Sequence, residues 1–466
     1  MTASAQHYDV IIIGAGQGGG PLAGAFAKAG RRTLLVERAH VGGTCVNEGC
    51  TPTKTMIASG RVAYLARRGS DYGVRTREVT VDLARVRERK RAIVTSFREG
   101  SERSLGVAGV EVEFGHGRFV APRAIEILAA SGARTTATAD IVVINTGLRS
   151  LVPEIPGIAD VLTLDSTSIM ELDTAPEHLI VLGGGYIGVE FAQLFRRFGS
   201  RVTLVHRGVQ LLAREDADIA TAVADIFKQD DIDLCLGATT IAASRTENGG
   251  VRLTVASRDA STPLDIVGSH LLLAVGRRPN TDDLGTEHAG VELDHRGFVM
   301  ANARLQTTAE GVYVVGDVKG GPAFTHISYD DFRILRTNLL ENGRASTEGR
   351  LLPYTVFIDP QLGRVGMTEA EARAAGFDVR VSTMPMSNVA RALEMGESRG
   401  VMKAVVDAAT GRILGAAVLG IEGGEVATFF QLAIMGGLPF TTLRDAVFSH
   451  PTLGEALNNL FAKMSE

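Results

Sequence analysis

The chain has 466 residues, 45% of them hydrophobic and 22% charged, with a formal net charge of -5. That length allows about three domains with sizeable cores, and the mildly acidic balance, with no long basic run, excludes nucleic acid or an anionic membrane as the main partner. No apolar stretch approaches the roughly 20 residues that span a bilayer and no signal-peptide pattern opens the chain, so the expected location is cytoplasmic.

Residues 8–13 read as an apolar strand. They run into Gly14-Ala15-Gly16-Gln17-Gly18-Gly19, then a helix over 21–29 and a second strand over 32–37 that ends at Glu37. In such a unit the first glycine makes a tight turn, the second lets a pyrophosphate approach the backbone, and the third lets helix and strand pack closely. The pyrophosphate then lies at the positive end of the helix. Glu37 stands where an acidic side chain binds a free ribose 2′-hydroxyl.

Directly after this unit comes Gly42-Gly43-Thr44-Cys45-Val46-Asn47-Glu48-Gly49-Cys50. It holds two of only three cysteines in the chain. In a reducing compartment a close pair beside a nucleotide site is catalytic or redox-sensing rather than a staple. Pro52 is expected to open a helix with Thr51 as its cap. That places Cys50 at the positive end of a helix, where a thiolate is favoured. Lys54 falls in the first turn, where a cation is mildly unfavourable and needs compensation.

Residues 55–105 read as helical, and 107–147 as a β-meander ending in an apolar strand before Thr146-Gly147. The run Val152-Pro153-Glu154-Ile155-Pro156-Gly157 is a proline-rich linker that suits a domain boundary. The nucleotide unit then recurs. A strand over 179–182 leads into Gly183-Gly184-Gly185-Tyr186-Ile187-Gly188, a helix over 189–198 and a strand ending at His206-Arg207. His206 follows Gly183 by the interval that separates Glu37 from Gly14, 23 residues. A 2′-phosphate needs cations there, so this second site suits NADPH better than NADH; the other reading of Arg207 is a solvated strand end. Cys235 lies in an apolar, strand-like stretch and reads as a small core residue.

The second unit closes before Gly276, and residues 311–317 form a buried strand ending in Gly316-Asp317, whose carboxylate suits a sugar or ribitol hydroxyl. From about residue 350 strands alternate with two helices and carry no nucleotide motif, as a domain devoted to assembly would. Near the end comes His450-Pro451-Thr452-Leu453-Gly454-Glu455, with capping-box spacing between Thr452 and Glu455. Read from the residues, Glu455 stabilises a helix start by closing that box.

Taken together, these motifs resemble the flavin-dependent pyridine nucleotide-disulfide oxidoreductases, the class of dihydrolipoamide dehydrogenase, glutathione reductase and mercuric reductase. The C-terminal stretches Pro353-Tyr354-Thr355-Val356 and Gly415-Ala416-Ala417-Val418 look closest to the mercuric reductase-like branch. The resemblance implies an α/β chain with two Rossmann-like dinucleotide-binding domains, for FAD and NAD(P), and a C-terminal α+β dimerisation domain. The expected limits are 1–150 for the first part of the FAD domain, 151–277 for NAD(P), 278–348 for the return to FAD, and 349–466 for dimerisation.

It further implies that Cys50 contacts the flavin as a charge-transfer thiolate and that Cys45 is the interchange thiol. Lys54 would pair with Glu190 beside the flavin. His450, oriented by Glu455, would act on Cys45 from the other subunit of a homodimer. Expected FAD contacts are Gly14, Gly16, Gly19, Glu37, Thr44, Gly117, Thr146, Gly147, Gly316 and Asp317. Those for NADPH are Gly183, Gly185, Gly188, His206, Arg207, Gly276 and Tyr186, the last a mobile gate or a plain core tyrosine. His326 approaches the flavin or packs at a helix start.

No metal-ligand set is expected. The acceptor is a small disulfide or a metal ion; the alternative is a dihydrolipoamide dehydrogenase, by itself or as a component of a multienzyme complex. The sequence departs from mercuric reductases in having no cysteine after Cys235, which removes the second thiol pair that hands metal to the inner one.

Overall fold

The computed structural model describes residues 6–257 and 262–464. Its contacts divide the chain into two compact units, which separate between Leu151 and Val152, Gly276 and Arg277, and Arg350 and Leu351, with a further exchange at residues 56–87.

In the first unit the strand Gln6–Ile13 runs parallel to Thr33–Glu37 on one side and to Arg134–Ile144 on the other. Glu111–Phe114 and Val312–Val314 extend the sheet in parallel, and Ala124–Leu128 and His116–Ala121 continue it as an antiparallel meander. Successive strand residues face opposite sides. Ile11 and Ile13 join one buried cluster with Val36, Phe119 and Val314, while Val10 and Ile12 join another with Leu22, Phe26 and Leu335. A strand buried on both faces must be apolar throughout, which is why residues 10–13 are unbroken Val and Ile.

The second unit repeats the pattern. His178–Leu182 lies parallel to Arg201–His206 and His270–Leu273, with Ile232–Leu236 and Thr163–Leu164 outside them. Leu179 and Val181 pack with the helices Tyr186–Phe198 and Ala217–Gln229, and Ile180 and Leu182 pack with a three-stranded meander over 238–268. The same unit holds a five-stranded antiparallel sheet over 354–420 and the helices that follow it.

The two glycine turns are geometrically equivalent. Gly14 and Gly183 have φ of +104° and +120°, and a Cβ on either would stand 2.3 Å from a backbone carbonyl oxygen, that of Asn145 or of Ala274. A Cβ on Gly188 would stand 1.9 Å from the Gly183 carbonyl oxygen, so helix and strand meet there backbone to backbone. Gly188→Ala is therefore expected to destabilise the protein by about 1–3 kcal/mol or more, read as a lower urea midpoint, whereas Gly185→Ala, where no atom lies within 4 Å, should leave the midpoint nearly unchanged.

Three expectations need correction. The helix after the cysteine run begins at Cys50, not at Pro52. The Gly49 carbonyl already accepts from the Thr53 N–H at 3.1 Å, so Thr51 is inside the helix rather than its cap. Pro52 is tolerated because first-turn N–H groups have no helical partner to lose. The stretch 55–105 is two helices, Cys50–Arg67 and Leu83–Ala108, interrupted around Gly69 and Gly73, the latter at φ +73°. Beyond residue 350 the described residues form not two helices but Glu369–Ala374, Ala390–Glu394, Gly423–Met435, Phe440–Asp445 and Ala456–Ala462. Segments of two turns or fewer are too short for a 3.6-residue period to show.

Candidate active site

In the first unit the cysteine run folds onto the first glycine turn. Gly43–Asn47 is a short helical turn. The Gly42 N–H donates to the Ala15 carbonyl at 2.9 Å, and Gln17 Nε2 donates to the Gly42 carbonyl at 3.1 Å. A Cβ on Gly43 would lie 2.6 Å from the Gly16 Cα. Asn47 braces the turn by donating to the Val41 and Gly43 carbonyls, both at 3.0 Å, and by accepting from Arg98 Nε at 2.8 Å.

This turn carries Cys45, half-buried, towards Cys50, which is exposed; both are free thiols. The two thiols are hydrogen-bonded, and that bond, followed by burial, pushes the Cys45 thiol well up. Cys50 is the first residue of the helix Cys50–Arg67, where the unpaired N–H groups and dipole favour an anion, and its sulfur lies 3.4 Å from Thr325 Oγ1. Lys54 follows in the same first turn and draws the Cys45 thiol down. Cys235 sits in the second unit on Ile232–Leu236, partly buried against the core there.

Around the first glycine turn the polar groups are tightly assigned. Glu37 accepts from the N–H groups of Ala15 and Ala39, each at 2.8 Å. Asn145, which the sequence did not single out, donates from Nδ2 to the Gly14 carbonyl at 2.9 Å. A Cβ on Gly19 or Gly316 would strike its side chain, at 2.6 and 2.9 Å. Asp331, also missed, is wholly buried; it accepts from the Gly316 N–H at 2.8 Å and pairs with Lys319 and Arg350 at 3.0 and 2.8 Å.

Asp317 follows, 3.6 Å from Arg277, its carboxyl raised by burial. Thr146 Oγ1 is buried and has no hydrogen-bond partner among the described residues, and Gly147 beside it, at φ +66°, has open space around it. Thr44 is half-buried in the cysteine turn. Gly117 lies in the meander, where a Cβ would meet Val36 Cγ1 at 3.0 Å, so packing alone explains it. An orphaned hydroxyl, a glycine cradle at a helix start and a strand-end carboxylate together fit a dinucleotide such as FAD.

The second cradle, in the other unit, differs at one position. His206 takes the place of Glu37 and does the same local job: its Nδ1 accepts from the Gly184 N–H at 3.1 Å. That bond requires a bare Nδ1. Burial, and then Arg207, lower the imidazole's pKa, so the ring is neutral and exposed Arg207 is the cation of this pair. Gly185 and Gly276 are open on the side where a Cβ would stand. Tyr186 opens the helix after Gly185, its ring 5.4 Å from that of Tyr354. Glu190, on the next turn, is buried, and its carboxylate accepts from the Phe357 N–H at 2.8 Å.

His450 and Glu455 come together in the second unit. His450 Nδ1 lies 2.8 and 3.0 Å from the two carboxylate oxygens of Glu455, and the His450 side chain is 70% exposed. The Glu455 N–H does donate to Thr452 Oγ1 at 3.2 Å, but its carboxylate turns to the imidazole. The complete capping box of this unit is elsewhere, at Thr368 and Glu371. A carboxylate on Nδ1 fixes the ring with Nε2 pointing away, ready to exchange a proton. His326, in the first unit, stacks on Phe324 at 5.4 Å.

Among the described residues no helix is long and apolar enough to cross a membrane. Residues 8–331 match the family model of pyridine nucleotide-disulphide oxidoreductases, and residues 352–461 match the dimerisation domain of the same family. The chain is 39% identical over 460 residues to the probable pyridine nucleotide-disulfide oxidoreductase RclA of Escherichia coli, covering 98% of this chain and 99% of that one. The structure of the Cu(II) complex of that HOCl-induced flavoprotein disulfide reductase superposes with a TM-score of 0.89 at 38% identity, again over 98% and 99% of the two chains. The mercuric reductase of Staphylococcus aureus is 33% identical over 453 residues, 97% of this chain and 81% of that protein. The dihydrolipoyl dehydrogenase of Thermus scotoductus is 34% identical over 452 residues, 97% and 96% of the two. This chain belongs to the pyridine nucleotide-disulfide oxidoreductase family, as a flavoprotein disulfide reductase of its mercuric reductase-like branch with no cysteine after Cys235.

Proposed function

We propose that this protein carries electrons from NADPH, by way of FAD and the Cys45–Cys50 pair, to a small disulfide or a metal ion such as copper. The observation that carries the reading is the contact between Cys45 and Cys50 at a helix start, on a turn docked to the first glycine cradle. When bound, FAD supplies the ring that takes hydride from the nicotinamide and passes an electron pair to a disulfide.

The chain's own residues do the rest. Two electrons and one proton open the Cys45–Cys50 disulfide to a thiolate on Cys50 and a thiol on Cys45. His450 of the partner subunit, oriented by Glu455, takes the Cys45 proton. The Cys45 thiolate attacks one sulfur of the acceptor disulfide, forms a mixed disulfide and expels the first thiolate, which recovers the proton from His450. Cys50 then attacks the Cys45 sulfur, expels the second thiolate, which takes a proton from water, and restores the starting bond. Lys54 and Glu190 are assigned to electrostatic assistance of hydride transfer. Support for a homodimer comes from the match of 352–461 to a dimerisation domain. Copper as an acceptor class draws on the Cu(II) complex of the Escherichia coli relative.

The functional division is taken as 1–150 and 278–348 for FAD, 151–277 for the nicotinamide nucleotide and 349–466 for dimerisation, in the cytoplasm. NADPH is preferred over NADH because Arg207, next to the His206 that takes the place of Glu37, offers a cation, and no carboxylate stands at that position as it does in the first cradle. Arg207→Ala is expected to raise the KM for NADPH about tenfold, the value of one charge-assisted contact to phosphate, while the KM for NADH stays within about twofold. Equal changes in both would remove Arg207 from the 2′-phosphate site. The same residue argues against dihydrolipoamide dehydrogenase, which runs toward NADH.

A further inference from the structure

Tyr186 does not stand alone at its helix start. Its ring is tilted 45° against that of Tyr354, at 5.4 Å, on the strand Tyr354–Val356 of the same unit. The Tyr354 hydroxyl donates to Glu215 Oε1, which anchors the ring that lies against Tyr186. Glu215 is itself fixed: it is 5% exposed, its N–H donates to the Leu212 carbonyl at 2.8 Å, and its own carbonyl accepts from Gln210 Nε2 at 3.1 Å.

Behind Glu215 lies Arg364, 1% exposed, with Nε 3.8 Å from Glu215 Oε2. Two of its guanidinium nitrogens, Nη1 and Nη2, have no hydrogen-bond partner among the described residues. The remaining charges near Glu215 are Asp216, which is 4.0 Å from Arg364 and 3.3 Å from Lys403, together with Glu371 and Arg214. Burial pushes the Glu215 carboxyl up, and Arg364 and the Tyr354 hydroxyl pull it back.

A buried carboxylate backed by a buried, incompletely bonded guanidinium is costly to keep, and an apolar pair of similar volume is often as stable. What the pair does do is aim one hydroxyl. Tyr354 keeps its ring against Tyr186 because Glu215 holds its hydroxyl, and a Tyr186 ring that turns away must give up the tilted ring contact.

We propose that Tyr354, held by Glu215 and backed by Arg364, is a positioning residue that latches Tyr186 closed, so that the nicotinamide end of the dinucleotide enters only by breaking the Tyr186–Tyr354 contact. The inference rests on the assignment of Tyr186 as the gate of the nicotinamide site. The latch sets a cost on binding the nicotinamide half alone. The adenosine half, which lies over the second glycine cradle, does not feel it.

The test is equilibrium binding to the FAD-loaded protein of NADP+ against 2′-phospho-ADP-ribose, and of NAD+ against ADP-ribose, each fragment lacking only the nicotinamide. Tyr354→Phe removes one hydroxyl, and it should tighten the dinucleotides about three- to tenfold while leaving the fragments unchanged. Glu215→Ala should do the same, and Glu215→Gln, whose amide oxygen still accepts, should stay near the unmodified protein. If Glu215→Ala does not fold, Tyr354→Phe decides alone. An unchanged ratio of dinucleotide to fragment in Tyr354→Phe, a weaker dinucleotide, or an equal shift of both ligands overturns the latch. Tyr186→Ala separates the two claims. If it alters the ratio while Tyr354→Phe does not, the gate stands without its latch; if it alters nothing, the gate assignment itself is wrong.

Discussion

Cys45→Ser is expected to lower turnover of the physiological acceptor by at least about 10³-fold, the scale seen when a nucleophile is removed from an interdependent set. A serine at this position cannot form the mixed disulfide, and its hydroxyl is far too weak an acid to replace a thiol. NADPH oxidation with a quinone or ferricyanide, which takes electrons without thiol exchange, should stay within about twofold of the unmodified protein. The comparison is made by steady-state assay of both acceptor types on one preparation. The geometry explains the asymmetry. Cys45 sits on the short turn Gly43–Asn47, where the hydrogen bond to Cys50 and then burial push its thiol up, whereas Cys50 occupies the anion-favouring start of the helix Cys50–Arg67. Equal loss with both acceptor types would mean that the serine disrupts the flavin site instead.

His450→Ala should lower acceptor turnover by about 10²- to 10⁴-fold, the usual worth of a positioned acid-base group, and leave the rate of flavin reduction by NADPH in a single stopped-flow turnover nearly unchanged. Glu455→Gln should fall in between, because the amide can still hold the imidazole but no longer stabilises its protonated form. The side chain of His450 is 70% exposed within its own chain, and Glu455 is the group that orders it. Loss of flavin reduction in step with acceptor turnover would take His450 out of the thiol half-reaction.

The two nucleotide units were legible in the sequence because sterics leave glycine no substitute there. Gly14, Gly183 and Gly188 each lie so close to a backbone carbonyl that a Cβ would stand 1.9–2.3 Å from it, and the flanking strands are buried on both faces. The cysteine pair was legible from its count and its place behind the first unit. The spacing of His450 and Glu455 fits a capping box as well as an imidazole–carboxylate pair, and in the structure the Glu455 carboxylate turns to the imidazole while its N–H donates to Thr452.

What stayed hidden is long-range. Asn145 serves Gly14 from 131 residues away, Thr325 meets Cys50 across 275, and Tyr354 meets Glu215 across 139. No local period or motif announces such partners. Asn145 alone had a signal, as the polar residue that ends a buried apolar strand just before Thr146-Gly147. His206 was read as part of a cationic pair because residue type alone does not reveal the Gly184 N–H that keeps its Nδ1 bare. The helix start at Cys50 was misplaced by two residues for a similar reason. Pro52 is allowed anywhere in the first turn, so it marks a helix beginning without fixing which residue begins it.

The central claim is that Cys45 and Cys50 form an electron store coupled to bound FAD. It is tested most directly by anaerobic reductive titration of the FAD-loaded protein, followed by flavin absorbance. The unmodified protein should take up about four electrons per chain, two for the flavin and two for the cysteine pair, and Cys45→Ser about two. Uptake of only about two electrons by the unmodified protein would contradict the claim.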